Sequence, residues 1–136
     1  MTAAEIHQSF TETQFRVFVS NTQTIVLLIN KISTALESAL PHLSSWGFIT
    51  AWNPSPEIFT LEENQKRNES LIAEVEKLNL KYLPSLGIAA DEKWSEESIL
   101  IENISFEMAN SLSKQFGQLA FVYGTKNKPA ELVYTK

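Results

Sequence analysis

Three polar residues stand where one helix should present oil to a core. The amphipathic stretch Leu61–Asn79 carries its apolar stripe at Leu61, Leu71, Val75 and Leu78, with Ile72 beside it. Helical spacing fills the gap in that stripe with Asn64 and Asn68, and Arg67 lies between them in angle. The opposite face holds Glu62, Lys66, Glu69, Glu76 and Lys77, as solvent requires. Asparagine amides both donate and accept, and a guanidinium offers a planar fork of donors that suits a carboxylate or phosphate. A buried amide without partners costs roughly 1–3 kcal/mol, so these groups need something to bond. One reading is a ligand. The other is a structural network that ties down the preceding loop. For Arg67 the pair of readings is an anion held near a helix N-terminus or a salt bridge to Glu63, Glu96 or Glu97.

Further residues extend the set. The strand Gly47–Trp52 ends in Asn53-Pro54-Ser55-Pro56, a hard break that delivers Asn53 to the start of the helix. In Trp94-Ser-Glu-Glu97, two adjacent carboxylates at a strand start point to opposite faces, so they do not form an acid/base pair. Glu97 is the candidate general base. Gln118 opens a later apolar strand. Trp52 and Trp94 supply a pocket wall, or serve as ordinary core and rim aromatics. The expected polar pocket thus joins Trp52, Asn53, Asn64, Arg67, Asn68, Trp94, Glu97 and Gln118 at one sheet edge. His7 and His42 share no metal spacing, so no metal site is expected. There is no Gly-rich phosphate loop, nucleophile elbow or H-E-x-x-H pattern, and nothing names a cofactor.

The elements that must position these groups are legible from pattern and punctuation. "QFRVFVS" and "TIVLLIN" read as a hairpin over 14–20 and 24–30. The second run is apolar on both faces and is expected at the centre of the sheet. Ser33 caps a short helix that Pro41 ends. Thr60-Leu-Glu-Glu63 fits a capping box, with Phe59 at the position before the cap. "KYLPSLGI", interrupted by Pro84, and "ESILIENI" are strands. Ser105 caps a helix closed by Gly117. "QLAFVYG" and an edge strand "ELVYTK" follow. The order β-β-α-β-α-β-β-α-β-β implies a single α+β domain over 14–136, a mixed sheet of about five to six strands packed with three helices. Residues 1–13 are expected to be flexible or loosely docked.

Composition narrows the function classes. The chain of 136 residues is 43% hydrophobic and 20% charged, with a net charge of −5 and no cysteine. Thiolate chemistry and disulfides are excluded. Scattered basic residues argue against a nucleic-acid binder that works by phosphate neutralisation. No apolar run approaches a membrane span. No basic-then-apolar leader opens the sequence, so a cytoplasmic location is expected and the two N-x-S matches, at Asn68 and Asn103, are read as chance.

At "FITAWNPSP", with "ENQKRN" after it, the chain resembles a bacterial family catalogued as domain of unknown function 3293. The resemblance continues through "KWSEESILI", "FGQLAFVYG" and "AELVY", over roughly residues 15 to 135. It implies a small, cytosolic-looking single domain, and it brings no assigned activity, cofactor or partner. The positions matching its motifs are Thr50, Trp52, Asn53, Pro54, Asn64, Arg67, Asn68, Trp94, Glu97, Ser98, Gln118 and Gly124. The chain departs from the pattern in the Ser-Pro after Asn-Pro and in the plain loop "PSLGIAADEKW".

The leading expectation is a binding domain for a small polar or anionic ligand. Its pocket lies at the end of strand 47–52 and the N-terminus of helix 61–79. The alternatives are an interaction or regulatory module without a pocket, working through an edge strand such as "ELVYTK", and an enzyme with Glu97 as base and Arg67 as clamp. Whether the chain is an enzyme stays open at the level of sequence.

Overall fold

The structure, a computed structural model, describes residues 2–54 and 57–135. Ser55 and Pro56, the end of the expected break after Asn53, lie outside the described residues. Four helices and seven strands follow in the order α1 (Ala3–Glu12), β1 (Gln14–Phe18), β2 (Thr24–Leu27), α2 (Thr34–Ala39), β3 (Ser45–Thr50), α3 (Leu61–Lys77), β4 (Tyr82–Ile88), β5 (Ser95–Glu102), α4 (Phe106–Gln115), β6 (Ala120–Thr125) and β7 (Glu131–Tyr134). The caps are those the sequence advertises. Thr60 and Glu63 form a reciprocal capping box on α3, and the Ser33 and Ser105 hydroxyls accept from the third amide of α2 and α4. α3 ends just before Asn79, which adopts a left-handed φ of 58°.

The sheet order is β2-β1-β4-β5-β3-β6-β7, and every neighbouring pair is antiparallel. This corrects the expected mixed sheet of five to six strands. The reason lies in the crossovers. Helix α3 returns the chain from β3 to a parallel strand, β4, but the slot between them is taken by β5. Helix α4 does the same from β5 to β6, and β3 fills that slot. The two units interlock, so β3 to β6 with α3 and α4 form the split β-α-β-β-α-β arrangement of ferredoxin-like domains. A further strand pair extends one side and β7 the other. β2 is also corrected. It is an edge strand whose Val26 is 44% exposed, because only its Ile25 and Leu27 face inward.

Each face of the sheet has its own core. On one, Leu71 and Val75 of α3 and Ala109 and Leu112 of α4 pack against Ile49, Ile99, Ile101 and Phe121. On the other, Phe15, Val17, Ile25, Leu27, Phe48, Leu100 and Val122 gather with Leu36 of α2. This second face is rolled inward. Phe15 of β1 and Phe48 of β3 have two strands between them, so a flat sheet would separate them by about 14 Å. Their ring centroids instead meet edge to face at 5.1 Å. The roll nearly brings the sheet edges together at one end: Asn30 donates to the carbonyl of Ala130 at 2.8 Å, and Ala130 donates to that of Lys31 at 3.0 Å.

The expected three helices become four because residues 3–12 form α1. A capping box of Thr2 and Glu5 starts it, and none of its residues is buried. It leans across the rolled face through Phe10, and its His7 Nδ1 lies 2.8 Å from the Tyr134 hydroxyl of β7. Among the described residues no helix is long and apolar enough to cross a membrane.

One packing contact sets a sharp test of this register. Trp46 and Gly124 are partners across β3 and β6, and the indole lies over the glycine so closely that an added Cβ would fall 2.2 Å from its Cε2. Gly124→Ala is expected to lower stability in urea unfolding by about 1–3 kcal/mol, the usual cost of overpacking. An unchanged midpoint would contradict the arrangement.

Candidate functional site

The chain leaves β3 through backbone groups that no ladder satisfies, and side chains from α3 and from the turn before β6 take them up. The Ala51 carbonyl accepts from Arg67 Nε at 2.6 Å. The Trp52 carbonyl accepts from Gln118 Nε2 at 2.9 Å. The Asn53 amide donates to Asn64 Oδ1 at 2.8 Å, and Asn64 Nδ2 returns a bond to Asn53 Oδ1 at 2.9 Å. Asn53 Oδ1 also accepts from the Phe59 amide at 2.9 Å, closing the loop back onto the start of α3. Asn53 itself sits at φ 44°, a left-handed conformation that asparagine tolerates.

This decides how the polar helix face is used. Asn64 and Arg67 bond the exit loop. Arg67 donates a second time, to the carbonyl of Phe116, and its guanidinium lies 5.5 and 5.9 Å from the ring centroids of Phe59 and Phe116. It makes no ion pair with Glu63, Glu96 or Glu97, and through Nε and Nη2 it is tied to two main-chain carbonyls. The neighbouring Gly117 has φ 71°, and a Cβ there would sit 2.7 Å from that of Pro54. Asn68 is buried, and its Oδ1 has no partner, as is true of the Trp52 indole nitrogen.

The open space lies on the other face of the sheet. A cavity of about 380 Å³ occupies the rolled side. Its floor is Phe15, Phe48, Val122 and Leu132, α1 covers it with Ile6 and Phe10, and Thr50, Asn53, Trp94, Glu96, Ser98 and Gln118 give it a polar end. The space follows from the register. Ser85, Ser98 and Thr50 are successive cross-strand partners on β4, β5 and β3, and Gly87 stands between Phe15 and Glu96 in the next row. Small side chains across three adjacent strands leave a hollow that the large residues further along do not fill.

Of the eight expected site residues, Asn53, Trp94 and Gln118 line this cavity. Asn64 and Arg67 stand behind it and hold the loop. Asn68 and Trp52 are not among its lining residues. Glu97 is not either, because strand alternation turns it to the helix side and puts Glu96 inside. Sequence reasoning missed Glu96 as the inward carboxylate and missed the row of small residues. The signal was present in Gly87, Ser98 and Ala120, small residues within otherwise bulky strands. Glu96 Oε2 accepts from Asn53 Nδ2 at 3.0 Å. Burial pushes its carboxyl above the ordinary value, against the lowering effect of hydrogen bonds from Asn53 and Trp94. No group of three His, Asp or Glu side chains is arranged to hold a metal among the described residues.

Residues 49–121 match the family described as protein of unknown function (DUF3293), and the chain belongs to that family. The match is narrower than the stretch over which the motifs resemble it. It runs from β3 to the start of β6, and so contains the exit network, Glu96 and Gln118, while α1, β1, β2, α2 and β7 lie outside it. No curated protein and no solved structure matches the chain.

The two asparagines of α3 are expected to behave differently. Asn64→Leu strands the Asn53 amide and the Asn53 Oδ1 network, and should cost about 2–4 kcal/mol in urea unfolding. Asn68→Leu removes an oxygen that already lacks a partner, and should be neutral or stabilising by up to about 2 kcal/mol. Equal losses at both positions would contradict this division. Glu96 gives a pH signature. Its folded-state carboxyl titrates above the unfolded value, so the folded protein binds more protons between the two values and stability falls as pH rises through that window. Glu96→Gln keeps an acceptor for Asn53 and removes the charge. Calorimetry should find the variant more stable than wild type at neutral pH, the gain vanishing once pH drops below the ordinary carboxylate range. A difference that does not change with pH would be the contrary result.

Proposed function

We propose that the domain binds a small molecule in the rolled-sheet cavity, with an apolar body against Phe15, Phe48 and Val122 and a polar group at Glu96 and Gln118. The observation that carries this is a hollow lined by the small residues Thr50, Gly87 and Ser98 beside a carboxyl that Asn53 holds in place. Concave, mostly apolar sites with a few fixed polar groups are the usual form of ligand pockets. The pocket differs from the one the helix face suggested. Arg67 does not line this cavity, and its Nε and Nη2 bond the carbonyls of Ala51 and Phe116, so this reading carries no preference for an anion. An enzymatic reading would rest on Glu96 rather than Glu97, since Glu96 faces the cavity and carries the raised carboxyl. One observation favours an interaction module instead: Phe18, Val26, Leu28 and Ile32, on or just after β1 and β2, are large apolar residues left exposed.

Gly87 offers a clean test. Its backbone is ordinary strand, and a Cβ there would meet Ser98 Oγ and Thr13 Cγ2 at 3.9 Å and the Glu96 carbonyl oxygen at 4.0 Å, all ordinary contacts. Gly87→Leu should fold with stability equal to or above wild type, because glycine is a poor strand residue, while its side chain takes up the cavity. Titration with the neutral fluorophore aminoanthracene should show saturable binding to wild type and a loss of about tenfold or more in the variant. Undiminished binding to Gly87→Leu would place the probe elsewhere and refute the reading.

A further inference from the structure

We propose that the ligand of this cavity is an organic cation, an apolar amine whose protonated nitrogen pairs with Glu96 beside the Trp94 ring. The inference rests on the small-molecule reading above and specifies its chemistry. The cavity lining contains two carboxylates, Glu57 and Glu96, and no lysine, arginine or histidine. Glu96 has no ion-pair partner among the described residues. One of its oxygens takes the Asn53 amide at 3.0 Å and Trp94 supplies a further hydrogen bond, which leaves other acceptor sites of the carboxylate for an incoming donor.

That carboxylate is also fixed in place. Asn53 is held through its main-chain amide and its side-chain oxygen by Asn64 and Phe59. Its Nδ2 therefore presents a set position to Glu96, and little ordering remains to be done when a ligand arrives. A half-buried carboxylate with no counter-charge is costly to ionise, and an ammonium group supplies the missing charge together with N–H donors in a charge-assisted bond. Trp94 at the polar end, and Phe15 and Phe48 beyond it, add faces that attract a cation and bury its hydrocarbon. A carboxylate ligand would meet repulsion from both acids. A neutral alcohol would gain the hydrogen bond without the charge.

The test compares three chains of equal length on the intact protein by titration calorimetry at neutral pH: octylamine, octanol and octanoate. Octylamine is expected to bind about tenfold or more tighter than octanol, with octanoate weakest. In Glu96→Gln, which keeps the Asn53 bond, octylamine should fall to the level of octanol while octanol itself is unchanged. Octanol or octanoate binding as tightly as octylamine, or an amine preference that survives Glu96→Gln, would overturn the cation inference and leave the cavity reading standing. Failure of all three to bind would overturn both.

Discussion

The constraint on which this structure turns is the exit of the chain from β3. A strand in the middle of a sheet ends with peptide groups that face neither water nor a ladder, and unsatisfied groups there cost free energy comparable to a lost hydrogen bond. Here Arg67, Gln118 and Asn64 take up Ala51, Trp52 and Asn53 in turn. Those three side chains come from α3 and from the turn between α4 and β6. Satisfying one loop therefore clamps both helices and the start of a neighbouring strand to the same point. Asn64 and Arg67 on the polar face of α3 hold this loop, and with it Asn53 in the conformation from which its amide reaches Glu96 on the other face.

The rest of the cavity is a consequence of topology. Interlocked crossovers put α3 and α4 on one face and leave the other without long helices. The flanking strands β1, β2 and β7 roll over that bare face, with α2 and α1 at its ends. Large residues fill most of the roll. Where β4, β5 and β3 carry Gly87, Ser98 and Thr50, the side chains are too small to fill it, and the space stays open under α1.

Much of this was legible in the chain. The capping box of α3 and the serine caps, the buried strand around Phe48 and the amphipathic α3 appear at or close to the residues their patterns indicate. The misfit of Asn64, Arg67 and Asn68 on an apolar face marked a real feature, since Asn64 and Arg67 bond the chain as it leaves β3. What it could not convey is direction. Whether a polar side chain bonds a ligand or a carbonyl depends on which loop lies over it. Strand parity is equally mute: Glu96 and Glu97 differ by one residue, and only the pairing of β5 with β3 and β4 says which one turns inward. β2 misled because both its faces are apolar, although one faces solvent. The all-antiparallel order was hidden for a related reason, since β5 and β3 insert into slots that a local reading leaves empty.

The central claim is that ligand occupies the rolled face while the α3 network is structural. Amide NMR spectra recorded during an aminoanthracene titration test it most directly, since they report every backbone site at once. The account predicts shifts concentrated at Thr50, Gly87, Ser98 and Ala120, with α3 from Asn64 to Leu71 nearly still. Shifts centred on Asn64, Arg67 and Asn68, or on the exposed outer side of β2, would contradict it.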